Sequence, residues 1–338
     1  MRGGVAEMVI TNTGKKLVLL VAVAVPLVLP LLVRNNYYLH VINLAGIYTL
    51  ITVGLNLLSG YTGQVSMGQA GFFALGTYVA GLLEINLGIP FWAASLAAIA
   101  ACALCGTVIA IPAMRLSGPY LVLATVGFGE IIRLVLLNWT PVTRGAAGLT
   151  AIPLPKFFGW QCSSEAQFYY LIFSFVLLGT YVAYRLAHSK VGRTFAAIRE
   201  DELAAEAMGV RVNRYKSAAF VLSAIYAGMA GALYGAFSGV ASPDNFTFDD
   251  SVAFLCMSVI GGSRTIVGAL IGSFMLTGMS EALRALQTYR LILYGGILIF
   301  TVIYMPQGLA GLAATVRARL RRTAGRSAAA STGGEGKA

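Results

Sequence analysis

The sequence has little charge and few residues of the kinds that bind metals or act as bases. Of its 338 residues, 11% are charged, 4 are cysteine and 2 are histidine. His40 and His188 alone leave too few ligands for a multi-histidine metal site. Cys102 and Cys105 have CxxC spacing, but they lie in an apolar run with no other thiol or imidazole nearby. That setting favours helix packing over metal or redox chemistry.

Apolar residues take the place of the missing charge. The chain is 58% hydrophobic and its mean hydropathy is +0.78, whereas an average soluble protein is roughly 25% charged. These values predict a polytopic membrane protein. The net charge of +11 could indicate nucleic acid, but the basic residues are placed in loops and at the chain ends, as membrane topology places them. We therefore expect no nucleic-acid binding and contact with membrane lipid instead.

The pattern of apolar runs predicts an all-α chain of about ten transmembrane segments, some of them short or broken. Runs close to the ~20 residues that a bilayer requires lie at 17–33, 41–58, 66–86, 91–113, 119–138, 168–187, 217–237, 266–286 and 290–312. The run 251–262 is apolar but shorter. We expect it to form a short or broken helix that returns the chain to the cytoplasmic side at Arg264.

Lysine and arginine predict the orientation of the chain. The segment 1–16, the loop 188–216 and the tail 313–338 are all basic, so we place all three, and both termini, in the cytoplasm. The tail is also rich in alanine, serine and glycine, and it is predicted to be disordered. The transmembrane domain is then 17–312. The loop between Thr140 and Gln167 would be external, with Trp139 and Trp160 as interface anchors.

The stretch 54–81 combines amides and hydroxyls with many glycines. A lipid-facing helix does not tolerate so many polar groups and backbone breaks, because unwound backbone in a membrane must be satisfied by protein or by a water-filled cavity. Transporters line their substrate pathways with interrupted helices of this kind. The alternative is close helix packing through small residues. The residues predicted to line a pathway are Asn56, Ser59, Gly60, Gly63, Gln64, Ser66, Gly68 and Gln69.

Two pairs of opposite charge lie within or at the edge of predicted spans. Glu130 with Arg133, and Glu281 with Arg284, are i, i+3 pairs whose members share a helix face. The first pair lies deeper in its span. It could line the pathway or a gate, or it could be a structural intramembrane pair, and the sequence leaves both interpretations open.

The segment 188–216 is a charged island between apolar spans, and it must lie in water. Its pattern of helix formers and apolar residues predicts a short helix that Gly209 ends. We expect Phe195, Ile198, Leu203 and Met208 to anchor it. A short helix of this kind suits docking into a groove on a soluble partner. The alternative is a solvated loop whose charges only fix topology.

Four stretches together resemble a known family. They are GLNLLSGYTGQVSMGQAGFFALGTY, GPYLVLATVGFGEIIRLVLLNW, SKVGRTFAAIREDELAAEAMGV and IGGSRTIVGALIGSF. In order and spacing they are similar to the permease subunits of bacterial branched-chain amino acid ABC importers, in particular to the LivM-like member of the permease pair. The resemblance covers roughly residues 35–312. Arg264 and Ala269 stand where it leads us to expect glycine and proline.

This resemblance implies a transport subunit and not an enzyme. The implied partners are a second, related permease, two cytoplasmic ATPases and a periplasmic substrate-binding protein, all at the bacterial inner membrane. The island then matches the segment that couples such permeases to their ATPases, although Leu203 stands where that motif often has glutamate. The implied coupling residues are Arg193, Arg199, Glu200, Asp201, Glu202, Ala204, Ala205 and Gly209.

The implied mechanism is alternating access, in which closure of the ATPases pushes on the island helix. The chain has no Gly-x-x-x-x-Gly-Lys-Ser/Thr phosphate loop, so ATP would be hydrolysed by the partner subunits. The expected cargo is a branched-chain or related amino acid. The alternatives are a urea or short-amide permease of the same family, and a secondary transporter or channel outside it.

Overall fold

The computed structural model describes residues 29–30, 35–113, 116, 118–157, 160–282 and 295–296. Apart from residues 29–30 and 295–296, the predicted spans 17–33 and 290–312 lie outside the described residues. The segment 1–16, the tail 313–338 and Arg284 also lie outside them.

Six helices in the described part of the chain are long and apolar enough to cross a membrane. Helix α1 (Asn36–Leu55) continues into a π-helical turn (Asn56–Tyr61), and α2 (Gln69–Leu87), α3 (Phe91–Ala113) and α4 (Pro119–Asn138) follow. The other two long helices are α6 (Glu165–Ala187) and α9 (Val212–Ser238). The chain is thus a mostly helical, polytopic membrane protein, as its composition predicts.

Shorter helices connect or follow these spans. They are α5 (Thr140–Thr143), α7 (Lys190–Glu200), α8 (Glu202–Ala207), α10 (Phe248–Gly261) and α11 (Ile266–Ala282). The predicted short segment 251–262 is therefore a 14-residue helix that starts three residues earlier. Its N-terminus has a capping box, in which the Thr247 amide and hydroxyl both bond to Asp250 Oδ2 at 3.0 and 2.8 Å.

Helix α9 lies at the centre of the bundle and packs against α1, α2 and α3. Small residues bring it close to α2, where a Cβ on Gly76 would lie 2.7 Å from Gly228 Cα. The Thr77 hydroxyl donates to the Gly231 carbonyl at 2.9 Å in the same crossing. Cys102 of α3 is buried against Gly228, so it is a packing residue as predicted. Glycines here allow the backbone contact on which membrane helix packing depends.

The loop between α4 and α6 is more regular than an all-α prediction allows. It contains β1 (Leu149–Thr150), β2 (Lys156–Phe157) and β3 (Trp160–Gln161), and the α9–α10 loop adds β4 (Val240–Ala241). Strand β1 pairs antiparallel with β4, and β2 with β3. The first pairing joins two loops that are distant in sequence, which the sequence pattern did not reveal. Trp139 is 55% exposed, while the side chain of Trp160 lies outside the described part.

Candidate functional site

The charged island folds into two short helices with separate caps. The Ser189 hydroxyl starts α7 by accepting from the Val191 and Gly192 amides at 3.1 and 3.4 Å. Asp201 ends α7 and starts α8, because its carboxylate accepts from the Ala204 amide at 3.0 Å. Gly209 follows with a φ of +82°, a backbone conformation that favours glycine. The prediction that Gly209 stops the helix is confirmed.

The large apolar side chains of the two helices differ in their exposure to solvent. Phe195 and Ile198 of α7 are buried, at 0% and 1% exposure, as predicted for anchors. Leu203 and Met208, predicted to anchor as well, are 80% and 85% exposed, so that prediction was wrong. The reason is geometric: α8 turns only its Ala205 methyl group towards the small core formed with Ile198 and Val212. The larger side chains on its other faces therefore point away from the chain.

Three polar contacts tie these helices to the membrane helices. An Arg199 Nη1 donates to the Gly60 carbonyl in the π-helical turn. Arg264, in the turn between α10 and α11, donates to Glu200 Oε1 at 3.0 Å. Lys216 of α9 contacts Glu202 Oε1 at 2.5 Å. Desolvation and the nearby Arg264 lower the pKa of the Arg199 guanidinium. All of the predicted coupling residues except Ala205 are exposed.

The stretch predicted to line a pathway begins with the π-helical turn, which is held in place by hydrogen bonds. Asn56 is 1% exposed, and its amide donates to the Gly262 and Thr265 carbonyls at 3.2 and 3.1 Å. Its oxygen accepts from the Arg264 amide at 3.0 Å. The π-helical turn is therefore bonded to the α10–α11 turn on one side and to Arg199 on the other. Single π turns inside helices often occur at functional sites.

The rest of this stretch is an irregular loop that leads to α2 at Gln69. Gly63 has a φ of +75°, and Gly68 lies so close to α4 that a Cβ would be 2.6 Å from the Thr125 carbonyl oxygen. Gln69 is 1% exposed and donates to the Ser223 hydroxyl at 3.0 Å, but its own Oε1 has no hydrogen-bond partner among the described residues. Gln64 and Ser66 are buried, and the Ser59 hydroxyl bonds to the Leu55 carbonyl at 2.9 Å.

Glu130 and Arg133 form a bidentate ion pair on α4. The Arg133 guanidinium donates to the Glu130 carboxylate over 2.6–3.1 Å. The Glu130 side chain is 42% exposed and that of Arg133 is 25% exposed. Glu130 also borders a narrow cleft between α2, α4 and α10, lined in addition by Met67, Thr247 and Ser251. The pair therefore lies at the edge of the irregular loop that precedes α2.

Sequence reasoning missed two contacts of this site. The bonds of Arg264 and Lys216 to the acidic residues of the island join positions 64 and 14 residues apart, so no local spacing reveals them. The signal available was the placement of both basic residues at cytoplasmic ends of predicted spans, near an island rich in acidic side chains.

Comparison with known proteins agrees with this architecture. The profile of a family described as "Branched-chain amino acid transport system / permease component" matches residues 37–302. The chain is 33% identical, over 322 residues, to the high-affinity branched-chain amino acid transport permease LivM of Escherichia coli K12, covering 88% of this chain and 76% of that protein.

Two further relatives are more distant. LivH of Salmonella typhimurium is 25% identical over 295 residues, covering 80% of this chain and 93% of its own length. The autoinducer 2 import permease LsrC of Klebsiella pneumoniae is 28% identical over 170 residues, covering 48% and 47%. No solved structure matches the chain. With a profile that spans most of the described helices, the chain belongs to the branched-chain amino acid transport permease family and is a membrane-embedded transport subunit of an ABC system, not an enzyme.

Proposed function

We propose that this chain pairs with a second, related permease, and that two cytoplasmic ATPases drive the pair by docking on α8. The observation that carries the proposal is the exposure of Leu203 on the capped helix α8 and of Met208 directly after it. Large apolar side chains at 80% and 85% exposure are costly in water, and a groove on a soluble partner would bury them. The acidic and basic residues around them would orient the contact.

In this proposal, the movement of α8 reaches the membrane through the polar contacts of the island. Arg199 would pull on the carbonyl of Gly60, and Glu200 on Arg264, so both sides of the π-helical turn would move together. Glu202 would act on the start of α9 through Lys216. A shift of the short helices α7 and α8 against the hydrogen-bonded π-helical turn would suit a transition between two discrete arrangements.

We place the substrate pathway along the segment from Asn56 to Gln69, with Glu130 and Arg133 at its edge. The support is the irregular backbone of this segment, its buried amides, and the Gln69 Oε1, which has no hydrogen-bond partner among the described residues. In a membrane such backbone is tolerated where protein or a cavity satisfies it. In this arrangement Asn56 bonds to the α10–α11 turn and Gln69 bonds to Ser223 of α9, so their proposed role in the pathway requires those bonds to exchange during transport.

The proposed cargo is leucine, isoleucine or valine, delivered by a periplasmic binding protein to the bacterial inner membrane. The support is the family description and the names of LivM and LivH. A relative named for autoinducer 2 import covers half of the chain, so the cargo needs a direct test.

The deciding experiment is purification of the tagged chain in mild detergent after co-expression with candidate partner genes from the same operon. We expect a second permease and two ATPases to co-purify with it. Vesicles containing that complex, supplied with the binding protein and ATP, should take up labelled leucine. A tagged chain that purifies without any ATPase would contradict the proposal. Uptake of urea or another amide in place of leucine would overturn only the cargo.

A matched pair of variants links docking to the exposed residues of α8. Leu203→Glu should remove the ATPases from the purified complex. Leu178→Glu is unsuitable as a control because it would place a charge in a membrane span. Thr194→Ala is the better control, since the Thr194 hydroxyl bonds only to the Lys190 carbonyl on α7 in the described contacts. Retention of the ATPases by Leu203→Glu would remove the docking argument.

A further inference from the structure

The exposed face of α4 differs from the exposed faces of the other long helices. Only 17% of the residues in its apolar stretch are buried, against 78% for α1 and its π turn. The large exposed residues along the middle of α3 and α6 are apolar, and the exposed polar residues there, Thr107 and Ser174, are uncharged. The large apolar residues are Leu96, Leu104, Val108, Ile111, Leu177, Leu178, Tyr181 and Val182. Such faces suit contact with lipid. The face of α4 mixes large apolar residues with small and charged ones.

The charged pair lies well inside α4. At 1.5 Å per residue, Glu130 is roughly 16 Å from the start of the helix at Pro119 and about 12 Å from its end. Among the described long helices, only α4 exposes charged side chains this far from its ends. A charged side chain deep in a bilayer is costly to insert, and pairing relieves only part of that cost.

One donor nitrogen of the pair makes no hydrogen bond to the described residues. Arg133 uses Nε and Nη2 on Glu130, and its Nη1 has no hydrogen bond within the described residues. Donors without acceptors are expensive in hydrocarbon, where water cannot replace the missing partner. Lipid tails are therefore an unsuitable cover for this position.

The neighbouring residues provide a surface for close packing of a helix. Gly127 lies one turn before Glu130 and Ile131, and a Cβ there would meet no atom of the described residues within 4 Å. Ala124 is exposed beside it, and Leu123 and Ile131 are 67% and 60% exposed. Small residues flanked by large apolar ones allow two membrane helices to approach closely. Polar groups at the same interface are then satisfied from the opposite helix.

We infer that this face of α4 is the contact surface for the second permease subunit, and that a polar side chain of that subunit bonds to Glu130 and Arg133. The inference rests on the proposed function, since it requires a related permease as partner. It identifies the occupant as a transmembrane helix with at least one hydrogen-bond acceptor. The opposite side of α4 already packs against α2, where a Cβ on Gly71 would lie 2.8 Å from Gly129 Cα.

Site-specific photo-crosslinking tests the surface directly. A photoreactive phenylalanine analogue is placed at Leu123 or Ile131 of α4, and at Leu104 of α3 or Leu178 of α6 as matched exposed controls. The full complex with its partner permease and ATPases is irradiated in membranes. We expect adducts with the partner permease from the two α4 positions, at least fivefold above those from the controls.

The possible outcomes separate this inference from the proposed function. Adducts to the partner from Leu104 or Leu178 alone would overturn the assignment of the face and leave the heteromeric permease intact. Adducts from α4 to a second copy of this chain, or to lipid, would overturn the inference as well. A tagged chain that brings down no second permease before irradiation would instead contradict the proposed function.

A substitution adds a second readout. Gly127→Leu should fit within this subunit, because no described residue lies within 4 Å of the new Cβ, but it should block a closely packed helix. Ala100→Leu, at an exposed position of α3, is the control. We expect Gly127→Leu to reduce the co-purified second permease at least fivefold at unchanged levels of the tagged chain. Equal amounts of partner in the two variants would contradict a close contact at Gly127.

Discussion

Helices α7 and α8 are neighbours in the sequence, yet they place their apolar side chains in opposite surroundings. Phe195 and Ile198 of α7 are buried against the body of the protein, while Leu203 and Met208 at α8 are exposed. Both helices belong to the same charged island. The difference supports the proposal that α7 anchors the island to the protein and that α8 presents an apolar surface to a partner. The predictions that follow test this division, in order of decreasing effect on the free energy of unfolding.

The largest effect is expected from Phe195→Ala. The Phe195 ring is fully buried and packs edge-on against Tyr215 with ring centroids 6.3 Å apart. Removing a buried phenylalanine side chain typically costs about 3–5 kcal/mol. We expect a lower melting temperature of the purified chain and a lower level in membranes, measured by fluorescence-detected size exclusion after heating. The matched change Thr194→Ala should leave both values close to those of the parent protein.

The next largest effect is expected from Gly209→Pro. Proline cannot adopt the φ of +82° found here, and it removes the amide that donates to the Glu206 carbonyl at 2.9 Å. We expect the end of α8 to unravel at a cost of about 3 kcal/mol and transport to fall to background, with insertion into the membrane unchanged. Gly209→Asn is the control, because asparagine tolerates this backbone conformation. Equal uptake by the two variants would show that the end of α8 is not needed.

A smaller effect on stability, but a large one on transport, is expected from Met208→Glu. Exposed positions usually change the free energy of unfolding by about 0.5 kcal/mol or less. Uptake by vesicles should nevertheless fall more than tenfold, because the ATPases would lose an apolar contact. A clearly lower melting temperature or normal uptake in this variant would contradict the proposed difference between α7 and α8.

The smallest effect on stability is expected from breaking the Glu200–Arg264 contact. Its side chains are 70% and 44% exposed, and ion pairs this exposed contribute about 0–1 kcal/mol. Glu200→Gln should therefore leave the melting temperature nearly unchanged. If the contact transmits movement, the ATP hydrolysed per leucine transported should rise, and Arg264→Gln should add nothing further in the double variant. Independent, additive changes would show that the two residues do not act as a pair.

The sequence predicted the long helices well because their signal is local and repeated. The runs 91–113 and 119–138 coincide with α3 and α4 at both ends. Helix α1 starts before its predicted span because Asn35, a residue common in loops, caps it by accepting from the Tyr37 amide at 3.0 Å. Helix ends depend on single capping contacts, which apolar runs do not reveal.

The candidate site was less predictable, because its contacts join distant parts of the chain. The unusual composition around Asn56 was visible, but its bonds to Gly262 and Thr265 span more than 200 residues of sequence. The outward placement of Leu203 was also hidden. A six-residue helix has too few positions for its apolar pattern to distinguish a buried face from an exposed one.

Arg264 has a consequence for how this protein family can vary. Its φ of +71° is strained for a side chain other than glycine, at a cost of about 1–3 kcal/mol, and the resemblance places glycine at this position. A change to glycine would relieve that strain and remove an exposed ion pair worth about 0–1 kcal/mol. Position 264 can therefore hold either arginine or glycine without loss of the fold. What changes is how firmly the island is held to this turn, because glycine would lose the contact with Glu200.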